Sequence, residues 1–328
     1  DVGTLRCFLE GQEEKKILSL DKDFNLSNVD IVAFFLSYEM DFFNIVKALK
    51  LLNMPVLSAE RKGNYPLVIG GGIAVTENPE PVADFFDVLF IGEAEDSLKI
   101  FLKLFFEFRE REDILEEGSK IDGIYVPKKF SFEYYPDGTL KNIRGGTVKK
   151  GFYKNFTSDF SRSLFMTEKG GFGNTFLIEM TRGCPASCRF CISRTLYSPV
   201  RFSDKENVKE IINREKDARK FGLLGASVSF HPDIKEIMDF LLLKGKSFSI
   251  SSLRAERIDE EFLELIKKGG SRSITIAPEA GTNNLRKKIK KGITFEDIER
   301  AVILSLNKGF EGLKLYFMIG LPFETTED

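Results

Sequence analysis

Along most of these 328 residues, short apolar runs rich in β-formers alternate with runs of helical spacing, and that alternation fixes the fold class. In the second half, "TFLIEM" (175–180), "GASVSF" (225–230), "SFSIS" (247–251), "SITIAP" (273–278) and "LKLYFMI" (313–319) read as strands. Helical patterns fit 204–220, 232–244, 258–268, 282–291 and 295–308 between them. Strand–helix units of this kind predict parallel strands covered by helices, as in a (β/α) barrel or part of one. Five strands are visible, so the pattern reads as a barrel cut short after its fifth strand.

The first third alternates in the same way. "KKILSLD" (15–21), "DIVAFFLS" (30–37), "PLVIGGG" (66–72) and "VLFIGEA" (88–94) read as strands. Segments 40–54, 79–87 and about 95–108 read as helices. The α/β pattern predicts a doubly wound parallel sheet that lacks the usual first strand. Around Pro136-Asp137-Gly138 the period changes to two, which predicts a β-hairpin within 123–143. These changes divide the chain into an α/β domain at 1–120, a hairpin and linker at 121–174, and a second α/β domain at 175–328. Beginning at Asp1 and stopping at "GLPFETTED", the chain reads as a fragment.

With 42% hydrophobic and 30% charged residues the chain can bury a core and stay soluble. A net charge of −2 gives the whole molecule no bias toward nucleic acid or membrane. No apolar run approaches the ~20 residues of a membrane span, and no signal segment opens the chain. The single His231 removes most histidine-based metal chemistry.

Three of the four cysteines fall within eight residues of "IEMTRGCPASCRFCISR" (178–194), at Cys184, Cys188 and Cys191. Cysteines this close have no separate partners to staple, so a reducing cytoplasm is expected rather than a disulfide framework. The triplet follows a predicted strand, where α/β proteins build their active sites. Three thiolates at close range need a cation, and soft thiolates select iron–sulfur clusters or zinc. Zinc usually takes four closed ligands in two pairs, and only Cys7 remains. A Cys-x-x-Cys redox dithiol at 188–191 leaves Cys184 unexplained. A cube cluster uses all three and leaves one iron open. Spacing favours the cluster, with zinc and a dithiol as the alternatives.

The motif Cys184-x-x-x-Cys188-x-Phe190-Cys191 resembles the signature of the radical S-adenosylmethionine (SAM) superfamily. The likeness runs through "GLLGASVSFHP" (222–232), "SSLRAERID" (251–259), "TIAPEAGTNNLRKKIKKGIT" (275–294) and "LKLYFMIGLPFET" (313–325), and is closest to the methylthiotransferase and Elongator-type branch. It implies a (β/α)6-type core and a 4Fe–4S cluster on Cys184, Cys188 and Cys191. It also implies SAM on the open iron and reductive cleavage to a 5′-deoxyadenosyl radical. "DIVAFFLSYEMDFFNIVKAL", "PLVIGGGIAVTENPEP" and "DVLFIGEAEDSL" resemble the cobalamin-binding-type Rossmann domain of uncharacterised fused radical SAM proteins. The Asp-x-His-x-x-Gly motif of that domain is absent, so any cobalamin would bind without a histidine ligand.

Several residues follow from the resemblance. Phe190 would shield one face of the cluster. Gly225, Ala226 and Ser227 would meet the amino group of SAM through backbone carbonyls, since the usual Gly-Gly-Glu lacks its Glu here; strand packing is the alternative. Arg254 and Glu279 would contact the carboxylate or ribose of SAM, or form rim salt bridges. Gly70, Gly71 and Gly72 would admit a cobalamin tail or simply make a tight turn. Glu93 and Glu95 read as the start of a helix, His231 as a helix-start or packed histidine with contact to SAM or the substrate as the alternative, and Cys7 as a small buried hydrophobe. Arg286, Lys287, Lys288, Lys290 and Lys291 read as a solvated helix face, or else as an RNA phosphate patch.

The reading is therefore a radical SAM enzyme served by a flavodoxin or ferredoxin-like reductant. Methyl or methylthio modification of a macromolecule such as RNA is suggested by analogy alone. Sulfur donation from a second cluster is disfavoured, because Cys7 alone remains beyond the triplet and a second cluster needs more cysteines. The competing readings are a non-enzymatic iron–sulfur electron-transfer or sensor protein, with Cys7 as fourth ligand, and a zinc-stabilised binding module.

Overall fold

The computed structural model describes residues 29–63, 65–168, 171–251 and 253–328. Cys7 and the strand expected at 15–21 lie outside the described residues. The chain divides after Tyr153 into two compact units.

In the first unit, β1 (Ile31–Phe35), β2 (Leu67–Gly71) and β3 (Val88–Phe90) pair in parallel. The short β4 (Ile124–Tyr125) adds antiparallel to β3. These strands read as unbroken apolar runs because both sheet faces are covered. Val68 and Leu89 pack on Ile45, Ala48 and Leu49 of α1 (Phe42–Leu51). Leu67, Ile69, Val88 and Phe90 pack on Phe101 of α3 (Ser97–Glu107) and on Ile114 and Leu115 of α4 (Arg111–Gly118). The expected helix over 79–87 is a 3-10 turn, Glu80–Phe85.

Between β2 and α2 (Ile73–Glu77), Gly72 adopts φ 119°. A Cβ there would overlap the carbonyl of Leu36, so only glycine makes this turn. The expected hairpin forms from β5 (Ser131–Tyr134) and β6 (Leu140–Arg144), with Asp137 Oδ1 accepting from Thr139 N at 2.9 Å in the turn.

The second unit runs β7 (Thr175–Arg182), α5 (Ser193–Leu196), β8 (Arg201–Phe202), α6 (Lys205–Arg214), β9 (Lys220–Gly225), α7 (Ile234–Leu243) and β10 (Ser247–Ile250). It continues through α8 (Glu260–Lys268), β11 (Ser273–Glu279), α9 (Asn283–Lys288), α10 (Phe295–Asn307) and β12 (Gly312–Phe317). β10, β9 and β7 are mutually parallel, and β8 covers the outer edge of β7 antiparallel. β11 and β12 pair in parallel, and a parallel bridge from Leu253 to Ile276 joins the two sheets. The result is the expected α/β arc of five parallel strands, left unclosed among the described residues. Side-chain caps begin the helices that follow: Asp204 accepts from Asn207 N, Asp259 from Phe262 N and Thr282 from Leu285 N. Each such cap contributes about 1 kcal/mol.

One strand is displaced from its expected place. The second strand spans 220–225 rather than 225–230, and Val228–Phe230 is a 3-10 turn. Phe221 and Leu223 are the buried pair, and Gly222 makes room for Leu177 of β7. The alternation in "ASVSF" mimics a strand, but Gly225 has already turned the chain.

Candidate functional site

The cysteine loop begins two residues past the end of β7. The residues expected to meet SAM lie, like it, at or just beyond the C-terminal ends of parallel strands. Gly225 ends β9, Arg254 follows β10 by four residues, and Glu279 ends β11. Parallel strands leave their last backbone groups and following loops at one edge, so four separate stretches of chain converge there.

All three cysteines of the loop are free thiols; Cys188 is buried and Cys184 and Cys191 are half-buried. A turn joins Cys191 N to the carbonyl of Cys188 at 3.3 Å. The loop is tied down from far along the chain. Arg189 N donates to Ile289 O at 2.9 Å, and Arg189 Nη1 donates to Lys288 O at 2.9 Å. Among the described residues no three His, Cys, Asp or Glu side chains are drawn together tightly enough to hold a single metal ion. The donor set still decides the kind of group it fits: three thiols, no histidine and no carboxylate in the loop suit an iron–sulfur cluster.

Gly225 carries φ 154°, and a Cβ on it would overlap Thr181 Oγ1 and approach Thr181 O to 2.7 Å. Its glycine identity is thus explained by contact with β7. Ala226 is exposed. Ser227 is buried; its Oγ donates to Gly183 O at 3.3 Å, directly ahead of Cys184. Ser229 Oγ is buried without a partner.

Arg254 is held on three sides. Nε pairs with Glu256 Oε1 at 2.5 Å, Nη2 donates to Lys291 O at 2.7 Å, and Nη1 lies 3.9 Å from Cys188 Sγ. Its guanidinium carbon also sits 5.6 Å from the centre of the Phe230 ring. Burial pulls the guanidinium pKa down, but Glu256 and the Cys188 sulfur outweigh it and hold the group above its ordinary value.

Glu279, with φ 67°, pairs with Lys291 Nζ at 3.0 Å. The same ammonium lies 5.9 Å from the Phe190 ring centre, within cation–π reach. Phe190 itself is 39% exposed.

The structure thus brings together Cys188, Arg254, Lys291, Glu279 and Phe190. Gly70, Gly71 and Gly72 belong to the first unit, where Gly70 packs beneath Phe86 and Gly72 beneath Leu36. Glu93 does not start a helix. It is buried and accepts from Tyr153 N at 2.8 Å, and the helix expected there opens after Asp96.

His231 is a packed histidine. Nε2 lies 2.9 Å from Ser203 O, Nδ1 accepts from Asp233 N at 3.1 Å, and the ring meets Phe202 edge-on. Those partners specify the neutral ring, and burial pushes its pKa down.

The basic run is not one solvated face. Arg286 is 2% exposed and donates to Ala280 O at 2.6 Å, and Lys291 is buried as well. Sequence reasoning missed the carbonyls of Lys288, Ile289 and Lys291, because a backbone acceptor leaves no trace in residue type.

The description "Radical SAM proteins, N-terminal" matches residues 9–127, and "Radical SAM superfamily" matches 178–328. An uncharacterised protein of Methanocaldococcus jannaschii is 34% identical over 308 residues, which is 92% of this chain and 61% of that protein. An uncharacterised methyltransferase of Pyrococcus horikoshii is 26% identical over 273 residues, 80% of this chain and 55% of that protein. The radical S-adenosylmethionine methyltransferase TsrM from Kitasatospora setae, solved with cobalamin and a [4Fe–4S] cluster bound, superposes with a TM-score of 0.62 at 15% identity. That match covers 91% of this chain and 60% of TsrM, and it concerns the fold alone. The chain spans about three fifths of the length of these proteins. Among the described residues no helix is long and apolar enough to cross a membrane.

Proposed function

Because this chain belongs to the radical SAM superfamily, we propose that Cys184, Cys188 and Cys191 hold a 4Fe–4S cluster that binds SAM at its open iron. The observation that carries this reading is the placement of three free thiols on one strand-end loop, with Arg254 reaching one of them and no histidine or carboxylate among them. When bound, such a cluster, reduced by one external electron, would supply the chemistry that cleaves SAM to methionine and a 5′-deoxyadenosyl radical able to take hydrogen from a substrate.

The chain's own residues hold and shield. The carbonyls of Lys288 and Ile289 fix the loop through Arg189. Phe190 would cover one side of the thiols, with Lys291 Nζ 5.9 Å from its ring centre to restrain it. The strand-end backbone at Gly225–Ser227 offers carbonyls for the amino group of SAM. Arg254 keeps N–H groups beyond its three protein partners that would donate to the carboxylate of SAM or a ribose hydroxyl, and the second carboxylate oxygen of Glu279 would accept from a ribose hydroxyl. Excluding water around these groups protects a reactive carbon radical.

The reductant in this proposal is a flavodoxin or ferredoxin-like protein of a reducing cytoplasm. The substrate class is a macromolecule such as RNA, receiving a methyl or methylthio group; the methyltransferase name of the Pyrococcus relative supports the transfer and leaves the acceptor open. This chain's single histidine, His231, is packed on Ser203 O and Asp233 N in the second unit, so a cobalamin on the first unit would be held without a histidine of these residues.

The test is anaerobic reconstitution with iron and sulfide, then SAM and dithionite. Formation of 5′-deoxyadenosine, lost in Cys184→Ser, Cys188→Ser and Cys191→Ser, supports the proposal. An assembled cluster whose EPR signal ignores SAM, with no cleavage, refutes it. Growth with hydroxocobalamin and a visible spectrum of the pure protein decides on cobalamin.

A further inference from the structure

We infer that Arg254 is a positioning residue for the cluster: donating toward the Cys188 sulfur, it makes the bound cluster easier to reduce, and Glu256 opposes it. The inference rests on the reading of the cysteines just given.

Three observations point this way. Arg254 is locked, with Nε on Glu256, Nη2 on the Lys291 carbonyl and Phe230 against its plane, so Nη1 is aimed at Cys188 by the rest of the side chain. The 3.9 Å from Nη1 to Sγ is long for nitrogen and oxygen but within reach for the larger sulfur atom. Cys188 is also the buried member of the triplet, while Cys184 and Cys191 are half-buried, so screening by water is weakest where the guanidinium acts.

The physical consequence follows from charge. One electron passes from dithionite, or from a flavodoxin- or ferredoxin-class donor, and no bond or proton moves in that step. The reduced form then carries one more negative charge beside the same guanidinium. A fixed cation donating to a ligand sulfur stabilises the reduced form more than the oxidised one, which raises the reduction potential. Glu256 works against this. Its Oε1 pairs with Arg254, while its Oε2 is buried without a partner, so its negative charge is poorly screened. Removing Arg254's charge and removing Glu256's charge should therefore move the potential in opposite directions. A purely structural role for the pair predicts the same direction for both, or no movement.

The experiment is an EPR-monitored redox titration of the reconstituted full chain without SAM, comparing the parent with R254Q, R254K and E256Q. In R254Q the reduced-to-oxidised ratio at a fixed potential should fall on the order of tenfold, equivalent to about 59 mV for one electron. R254K, which keeps the charge, should fall less. E256Q should shift the ratio the other way.

The inference is overturned if R254Q holds its full iron content and titrates with the parent, or if E256Q shifts in the same direction as R254Q. Should R254Q assemble no cluster, E256Q decides, because its Arg254 is intact: a raised potential supports the inference and an unchanged one overturns it. A normal cluster that cleaves SAM but shows none of these shifts sinks only this inference. A parent protein that assembles no cluster removes both this inference and the function it rests on.

Discussion

Replacing Lys291 by methionine takes the cation out of a pair that is nearly dry. Nζ lies 3.0 Å from Glu279 Oε1, and the two side chains are 9% and 14% exposed. Two unit charges at that distance attract by about 5–6 kcal/mol at an effective dielectric of ~20, and the cost of drying both charges offsets much of it. Losing one partner leaves the other charge buried and unpaired. K291M should therefore cost about 3–5 kcal/mol, and E279Q a similar amount.

The double variant E279Q/K291M removes both charges together. It should cost only about 0–2 kcal/mol, because nothing charged is then left without a partner. The coupling expected from the cycle is thus several kcal/mol, well above the few tenths seen for independent sites. Glu279's left-handed backbone, at φ 67°, is common to all four proteins and cancels. The assay is urea unfolding of the apo chain at pH 7 in reductant, followed by far-UV circular dichroism. If the double variant is destabilised by the sum of the two singles, the charges do not sense one another and the argument fails.

Two further outcomes are expected. Gly225→Ala forces a Cβ into Thr181 at a backbone conformation side chains avoid, so thermal unfolding should show a loss of about 2–3 kcal/mol, partly recovered by Thr181→Ala. His231 should make stability fall on acidification. Its folded pKa is depressed by burial, so below about pH 6.5 the unfolded chain binds a proton that the folded chain refuses, and stability drops as pH falls from there toward the folded pKa. His231→Gln should flatten that part of the unfolding-midpoint profile, and an unchanged slope would assign it to other groups.

The cysteine triplet was legible because its spacing is local: three ligands on one loop need no knowledge of the rest of the fold. The strands β7, β10, β11 and β12 were legible because each is a short run rich in apolar and β-branched residues set between helical patterns, and β7 is besides buried on both faces. β9 was misplaced because "KFGLLG" opens on lysine and contains a glycine required by Leu177, whereas "ASVSF" alternates and is not a strand. Burial of Arg286 and Lys291 was illegible for a different reason. Arg286 turns back onto the carbonyls of Ala280 and Gly281 and the Asn283 amide oxygen, and Lys291 onto Glu279, while their neighbours in the run share the same residue types. Glu93 was misassigned likewise, since its partner is an amide sixty residues away.

Arg189 of the cysteine loop rests on carbonyls some hundred residues downstream. A ribosome adds about 5–20 residues per second, so roughly 5–20 s separate the birth of the thiols from the birth of their anchor. During that interval the three free thiols are without the carbonyls that anchor their loop. For the cluster proposed above, loading would then be timed by the chain's own length: delivered early, it would meet an unanchored loop, and delivered after α9 has emerged, an anchored one.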